Sequence, residues 1–396
     1  MEKVKYLIIG NGISALSAAK EIKQNDIDSN ITMISNEEYP TYYRIKLTEA
    51  LGKDMEEKDF IINDMSWYNE RNINLILRKI VEKIHIDESS VTLDDGTKIK
   101  YDKLLIASGS SPFIPPINGK YKQGVFALRG LKDLELIRNN LKKGDKVTII
   151  GGGLLGLEAA WALKSIGKTV SVIEFSPYLL PRQLDKELGE KLAKKLKENG
   201  INIYLDSTVE KIEGNDEATG IVIDSGEEIK SNTILVSTGI RPNIDLVRQT
   251  NISMNKGILV DETLKTNIDN IYAAGDVVEY NNKIVGLWTT SMEQGKIAGA
   301  NMSGKKMEYI EPKPFSSLRI GDIKLFSAGD ILDYDQIYEY KDGKDIHHKI
   351  FVKDGSIHGA ILFGDIKEMG KIKSMVFSKV DIEVYLKEGT NFQLVK

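Results

Sequence analysis

Two glycine-rich turns carry most of the chemistry this sequence can do: Gly10-Asn11-Gly12-Ile13-Ser14-Ala15 and Gly151-Gly152-Gly153-Leu154-Leu155-Gly156. At this spacing the first glycine permits a tight bend and the second lets the backbone approach a pyrophosphate. The third position allows a helix to pack closely on a strand. The pyrophosphate then sits at a helix N-terminus, where N–H groups and the helix dipole favour an anion. Ala15 takes the third position of the first turn and is small enough for that packing. After the second turn, Glu174 ends an apolar run and is placed to accept hydrogen bonds from a ribose 2′-hydroxyl. Phe175 and Ser176 follow it, with no arginine or lysine to hold a 2′-phosphate, so NADH is expected over NADPH. The matching position after the first turn is Ser35, with Glu37 and Glu38 beyond it; Glu37 is taken as the ribose contact there.

The elements around these turns repeat. Lys5-Tyr-Leu-Ile-Ile9 and Val147-Thr-Ile-Ile150 read as buried strands, each followed by its turn and a helical pattern rich in alanine and leucine. A second apolar strand follows each helix, Ile31–Ser35 and Val170–Glu174. One glycine turn could serve bending alone. Two copies in the same strand–turn–helix context, 141 residues apart, point to two dinucleotide sites.

The remainder fits around them. Strands Val91–Leu93 and Leu104–Ala107 lead to Ser108-Gly109, and Pro112, Pro115 and Pro116 mark a linker. Gln183 to Asn199 reads as a helix with Leu184, Leu188, Leu192 and Leu196 on one face and Gly200 as its stop. Strand Thr233–Ser237 leads to a second linker around Thr238-Gly239, and Ile271-Tyr-Ala-Ala-Gly-Asp276 is another strand ending in a glycine turn. Past Pro312 and Pro314 the pattern changes to short strands with turns such as Asp342-Gly343 and Asp354-Gly355. The expected fold is α/β, with two Rossmann-like domains and a small C-terminal α+β domain. The first domain spans residues 1–111 and 240–311, the second is inserted as 112–239, and the third is 312–396.

Composition narrows the chemistry further. The chain has 396 residues, 41% hydrophobic and 28% charged, which suits a globular protein of two or three domains. The balance of 54 basic and 58 acidic residues gives −4, no footprint for nucleic acid. There is no cysteine, which excludes disulfides, catalytic thiols and thiolate-bound metal clusters. Four scattered histidines leave little for a metal site; adjacent His347 and His348 would face opposite sides of a strand. No metal is expected. The charge-free stretch Leu104–Gly119 contains three prolines and cannot be a membrane helix. The N-terminal apolar run stops after four residues at Gly10 and reads as a strand rather than a signal peptide, so a cytoplasmic protein is expected.

The ordered set Gly10-x-Gly12-x-x-Ala15, Ala107-Ser108-Gly109, Gly151-x-Gly153-x-x-Gly156-x-Glu158, Thr238-Gly239 and Ala274-Gly275-Asp276 resembles the FAD-dependent pyridine-nucleotide oxidoreductases over essentially the whole chain. Tyr42-Tyr43-Arg44-Ile45-Lys46-Leu47 and Leu180-Pro-Arg-Gln-Leu-Asp185 look most like the NADH:rubredoxin oxidoreductases of that group, and Gly286–Gly295 is similar to its flavin-facing segment. The resemblance implies FAD in the first domain and NADH in the second. It places Asp276 on the ribityl chain, Ser14, Arg44 and Lys46 along the pyrophosphate and flavin, and the Val81 backbone at the adenine. Thr289 and Thr290 would open a helix aimed at the flavin O2 region. Asn11, Ser35, Ala107, Ser108, Gly109 and Gly239 complete the implied FAD side, and Leu154 and Leu155 the NADH side. Glu158 would lie near the nicotinamide. A lysine five residues past the arginine is common in the family and pairs with that glutamate; here Glu49 holds that position, which leaves Lys46 as the candidate catalytic partner.

Hydride chemistry would belong to the cofactors, the protein supplying position and field. Without cysteine, neither a dithiol relay nor a single reactive thiol is available, so electrons would leave the flavin directly. The expected acceptor is a small rubredoxin-like redox protein, docked through Arg44, Lys46, Lys313 and Lys324. The competing readings are an NADH oxidase delivering electrons to oxygen, a reductase of another carrier such as ferredoxin, and a non-catalytic NADH-dependent interaction partner.

Overall fold

The computed structural model describes residues 2–387 and 391–395. The chain forms two compact units. The first comprises residues 1–46, 55–113 and 239–311, and the second 47–54, 114–238 and 312–396.

In the first unit, β1 (Glu2–Ile9) pairs in parallel with β2 (Ile31–Ile34) and β6 (Lys98–Ile106). Tyr6 to Ile9 are all buried, as a strand covered on both faces requires, so the sequence runs apolar instead of alternating. β3 (Ile73–Ile76), β4 (Val81–His85) and β5 (Ser90–Leu93) complete the order β3-β2-β1-β6-β5-β4, β4 and β5 forming an antiparallel hairpin. The strand Ile271–Ala273 joins β6 in parallel, with Ala273 beside Ile106 and Ile106 beside Ile9. The carboxyl ends of three neighbouring strands therefore lie together, which is where open α/β sheets hold ligands. Helix α1 (Ile13–Asn25) buries Leu16, Ala19 and Ile22 against Tyr6, Ile8 and Ile31.

The second unit has a parallel five-stranded sheet in the order Asn202–Tyr204, Thr169–Ile173, Lys146–Ile150, Thr233–Val236, Val125–Phe126. Residues 312–396 add a six-stranded sheet, antiparallel throughout, whose face is covered by the helices Met369–Ser378 and Ile382–Lys387 around Phe326, Ile350, Leu362 and Tyr385.

Three details go beyond what the sequence pattern showed. The helix expected over Gln183–Asn199 runs Lys186–Glu198, because Asp185 stands outside it as the N-cap and accepts from the Leu188 N–H at 3.1 Å. The segment Leu47–Asp54 leaves the first unit for the second: Arg138 donates to the carbonyls of Ala50 (2.9 Å) and Lys53 (2.6 Å). Residues 114–238 and 312–396 fall within one unit, across which the buried ammonium of Lys349 binds Asp185 at 2.6 Å and Glu187 at 2.5 Å.

Candidate functional site

Gly10 follows β1 with φ +119°, and a Cβ there would lie 2.1 Å from the Ala107 carbonyl oxygen. Only glycine fits, because the turn rides on the end of β6. Gly12 caps α1 and has nothing within 4 Å of its Cβ position, an opening that would admit a phosphate. Asn11 is buried and ties the turn down from its side chain, donating to the Tyr39 carbonyl (2.9 Å) and accepting from Thr41 Oγ1 (2.6 Å). Ser14 and Ala15 are buried on α1, and Ser14 lies beneath Gly275.

Asp276 follows the strand Ile271–Ala273 at the same carboxyl edge. Its two oxygens accept from Ser110 Oγ at 2.9 Å and Ser291 Oγ at 3.0 Å. Ser291 belongs to the helix Trp288–Met302, and Gln294 one turn on accepts the Gly275 N–H at 2.9 Å. Thr289 is exposed, whereas Thr290 is buried and its hydroxyl has no hydrogen-bond partner among the described residues. A buried, unmet hydroxyl in the first turn of a helix is a place where a polar ligand edge fits. Ser108 and Gly109 are fixed from the second linker by Asn243, which donates to the Ser108 carbonyl at 2.8 Å from its side chain and to the Gly109 carbonyl at 3.0 Å from its backbone. Gly239 accepts from the Phe113 N–H at 2.9 Å.

Other expected residues are differently engaged. Ser35 closes β2 and its hydroxyl accepts from the Glu37 N–H at 3.1 Å. Glu37, expected on a ribose, is held by the Arg44 guanidinium and by the Tyr42 hydroxyl. Burial opposes the Arg44 charge, but Tyr42, Glu37 and Asp276 hold its pKa above the ordinary value. The Lys46 ammonium donates to the Asp59 carbonyl at 2.8 Å and sits 4.8 Å from the Tyr43 ring centre, itself near Trp288. Val81 is buried at the start of β4, opposite Leu93. Glu49 pairs with Lys53. Lys313 donates to the Phe377 carbonyl.

In the second unit the turn repeats the first. Gly151 has φ +111°, with its Cβ position 2.3 Å from the Ser237 carbonyl oxygen, and Gly153 opens the helix Leu154–Ser165 with nothing within 4 Å. Gly156 packs against the Gly151 carbonyl, Leu154 is half-buried and Leu155 is exposed. Glu174 accepts from the Gly152 N–H (2.6 Å) and the Ser176 N–H (2.8 Å), and Phe175 beside it is 75% exposed. Glu158 has no hydrogen-bond or ion-pair partner among the described residues, and burial pushes its carboxyl above the usual range.

Sequence reasoning missed Ser110, Ser291, Gln294 and Asn243. Ser291 and Gln294 lie inside the recognised Gly286–Gly295 segment, but nothing in a lone serine or glutamine marks it as a support for Asp276 or Gly275. It also missed the cluster around Lys349. There Glu187, Glu339 and the buried His347 bring ligand-type atoms within 4.8 Å of one another. The ammonium groups of Lys349 and Lys341 already lie against those carboxylates. Burial drives His347 down to about 4, so it is neutral at neutral pH.

Two open glycine turns at the carboxyl edges of two parallel sheets, one of them beside an unmet threonine hydroxyl, suit two dinucleotide cofactors. The chain belongs to the pyridine nucleotide-disulphide oxidoreductase family, which matches residues 4–295, and the rubredoxin NAD+ reductase C-terminal domain matches residues 314–380. FAD and NADH are the cofactors of this group. The chain is 36% identical over 394 residues to a nitrite reductase [NAD(P)H] of Bacillus subtilis, covering 96% of this chain but 48% of that relative. It is 34% identical over 379 residues to the NADH-rubredoxin oxidoreductase of Clostridium acetobutylicum, covering 96% of each. The crystal structure of NADH:rubredoxin oxidoreductase from Clostridium acetobutylicum superposes with a TM-score of 0.85 at 33% identity, over 98% of this chain and 100% of that one. No described helix is long and apolar enough to cross a membrane.

Proposed function

We propose that the chain oxidises NADH and passes the electrons singly to a small redox protein of the rubredoxin type. The observation that carries this reading is the pairing of two open dinucleotide turns with a complete lack of cysteine. FAD, when bound, supplies the conversion between hydride and single electrons. Gly10, Gly12 and the N-terminus of α1 would receive its pyrophosphate, the carboxylate of Asp276 a ribityl hydroxyl, and Thr290 with its helix N-terminus the polar edge of the flavin ring. Gly151, Gly153 and the N-terminus of Leu154–Ser165 would receive the NADH pyrophosphate, and Glu174 its adenosine ribose. Glu158, without a partner among the described residues and with its carboxyl pushed above the usual range by burial, would line the nicotinamide side. Glu37, Arg44 and Tyr42 brace the FAD side as a group, so Arg44 acts there mainly by holding Glu37. The protein is proposed to work in the cytoplasm.

The partial coverage of the nitrite reductase relative favours a second reading, in which the same electrons go to a redox centre on an adjoining polypeptide. Stopped-flow reoxidation of the NADH-reduced protein against purified rubredoxin, ferredoxin and flavodoxin separates these. Fast transfer to rubredoxin supports the first reading. Rapid NADH consumption in air with no added carrier would make oxygen the acceptor instead, and reduction by NADH without fast transfer to any carrier would leave the second reading.

A further inference from the structure

The two glycine turns are held down by different devices. In the first, the middle residue is Asn11, and its own side chain binds the Tyr39 carbonyl and the Thr41 hydroxyl. In the second, the middle residue is Gly152, between Gly151 and Gly153, and three consecutive glycines have the largest conformational freedom a backbone can have. Gly152 has no side chain with which to tie itself. A Cβ there would lie 2.8 Å from Leu179 Cδ2 and 3.0 Å from Glu174 Oε2, so a side chain at this position would have to displace the ends of both. The tie comes from outside instead. Glu174 Oε2 accepts the Gly152 N–H at 2.6 Å, while its other oxygen accepts the Ser176 N–H at 2.8 Å, which fixes the carboxylate at the end of the strand Thr169–Ile173.

We infer that Glu174 is a positioning residue for the pyrophosphate turn, in addition to any contact it makes with the adenosine ribose. Each carboxylate oxygen has a second lone pair, so both N–H groups can stay bound while ribose hydroxyls are accepted. The residue that reads the ribose thus also orders the glycines that face the pyrophosphate, and the two parts of the nucleotide site are coupled through one side chain. The inference rests on the reading that NADH binds at this turn.

The test crosses Glu174→Gln with removal of the ligand's hydroxyls. A glutamine has the same shape but one acceptor oxygen, so one of the two N–H groups must face an amide NH2. The FAD-loaded enzyme would be assayed with NADH and with an NADH analogue lacking both adenosine-ribose hydroxyls. A turn-positioning role predicts that the substitution raises KM for the analogue as well, by about fivefold or more, the loss of roughly one hydrogen bond, with kcat unchanged. If the effect on KM disappears with the analogue, Glu174 acts through the ribose alone and the inference is overturned. Hydrogen exchange of residues 151–153 in nucleotide-free protein reads the tie directly. Faster exchange in Glu174→Gln, at an unchanged melting temperature, supports it; identical exchange refutes it. The exchange measurement also separates the two levels of the argument, because failure of the wild-type protein to use NADH would remove the functional reading while the exchange result still decides whether Glu174 orders the turn.

Discussion

The Arg44 guanidinium is paired with the Glu37 carboxylate, and Tyr42 donates its hydroxyl to the other Glu37 oxygen at 2.7 Å. The acid that the sequence assigns to a ribose is therefore a braced group, and removing its cation leaves a half-buried carboxylate short of a partner. Arg44→Met should weaken FAD retention by about tenfold or more, since a hydrogen bond to a charged group contributes about 1.5–3 kcal/mol. Fluorescence titration of the apoprotein with FAD measures it. An unchanged affinity would mean that the Arg44–Glu37 pair supports only the local fold.

Asp276→Ala removes the acceptor of both the Ser110 and Ser291 hydroxyls, as well as the proposed acceptor of a flavin-side hydroxyl. FAD affinity should fall by about 10- to 100-fold, on the same scale of about 1.5–3 kcal/mol. Wild-type FAD content after gel filtration of the variant would remove Asp276 from the site.

Glu158 is held above the usual carboxylate range by burial, so its ionised form is disfavoured in the fold. Such a group contributes stability at low pH that is lost as pH rises through its folded-state value. Glu158→Gln should therefore be more thermostable than wild type at pH 7–8, with the difference vanishing in acid below about pH 4, where the unfolded carboxyl is also protonated. Melting temperatures at several pH values test this; a variant less stable than wild type at neutral pH would mean that the carboxylate has a partner that stabilises it.

His347 carries the opposite dependence. Burial drives it to about 4, in the field of Glu187, Glu339, Lys341 and Lys349, against 6.5 for an ordinary histidine. The preference for the neutral ring is fully expressed above about pH 6.5 and is lost as pH falls towards about 4. His347→Leu should flatten that part of the stability profile while leaving the alkaline side unchanged. Urea midpoints between pH 7 and pH 4 provide the measurement, and an equally steep decline in the variant would place the acid sensitivity elsewhere.

The parts of this protein written in local pattern were legible in the sequence. Gly10, Gly12, Gly151, Gly153 and Gly156 announce themselves because strand, turn and helix periods change within a few residues, whereas Asp276 was singled out only through the family resemblance. The supports were not legible, because their meaning is set by distant residues. Ser110 and Ser291 reach the same carboxylate from positions 181 residues apart, and Lys349 meets Asp185 from an entirely different sheet. Glu37 illustrates the same limit from the other side: its distance from Ser35 suggested a ribose contact, but nothing local to it announces that Tyr42 and Arg44 also bind its carboxylate. The excursion Leu47–Asp54 has no glycine motif or charge shift to reveal that it belongs with the second unit.

The pairing of β6 with the strand Ile271–Ala273 sets the schedule on which the protein can be made. β6 ends at Ile106, and its parallel neighbour leaves the ribosome about 165 residues later, after the whole stretch 114–238. At roughly 5–20 residues per second this is a delay of about 8–33 s, during which Leu104–Ile106 of β6 lack the neighbour on the side away from β1, the start of the strand being already paired with β5. An unsatisfied parallel edge is a template for wrong pairing, and long-range closure is slow to relieve it. Expression yield should consequently respond to chaperone supply and to translation speed more than melting temperature would suggest, and truncation anywhere between Asn243 and Ala273 should yield aggregated chain instead of a smaller folded one.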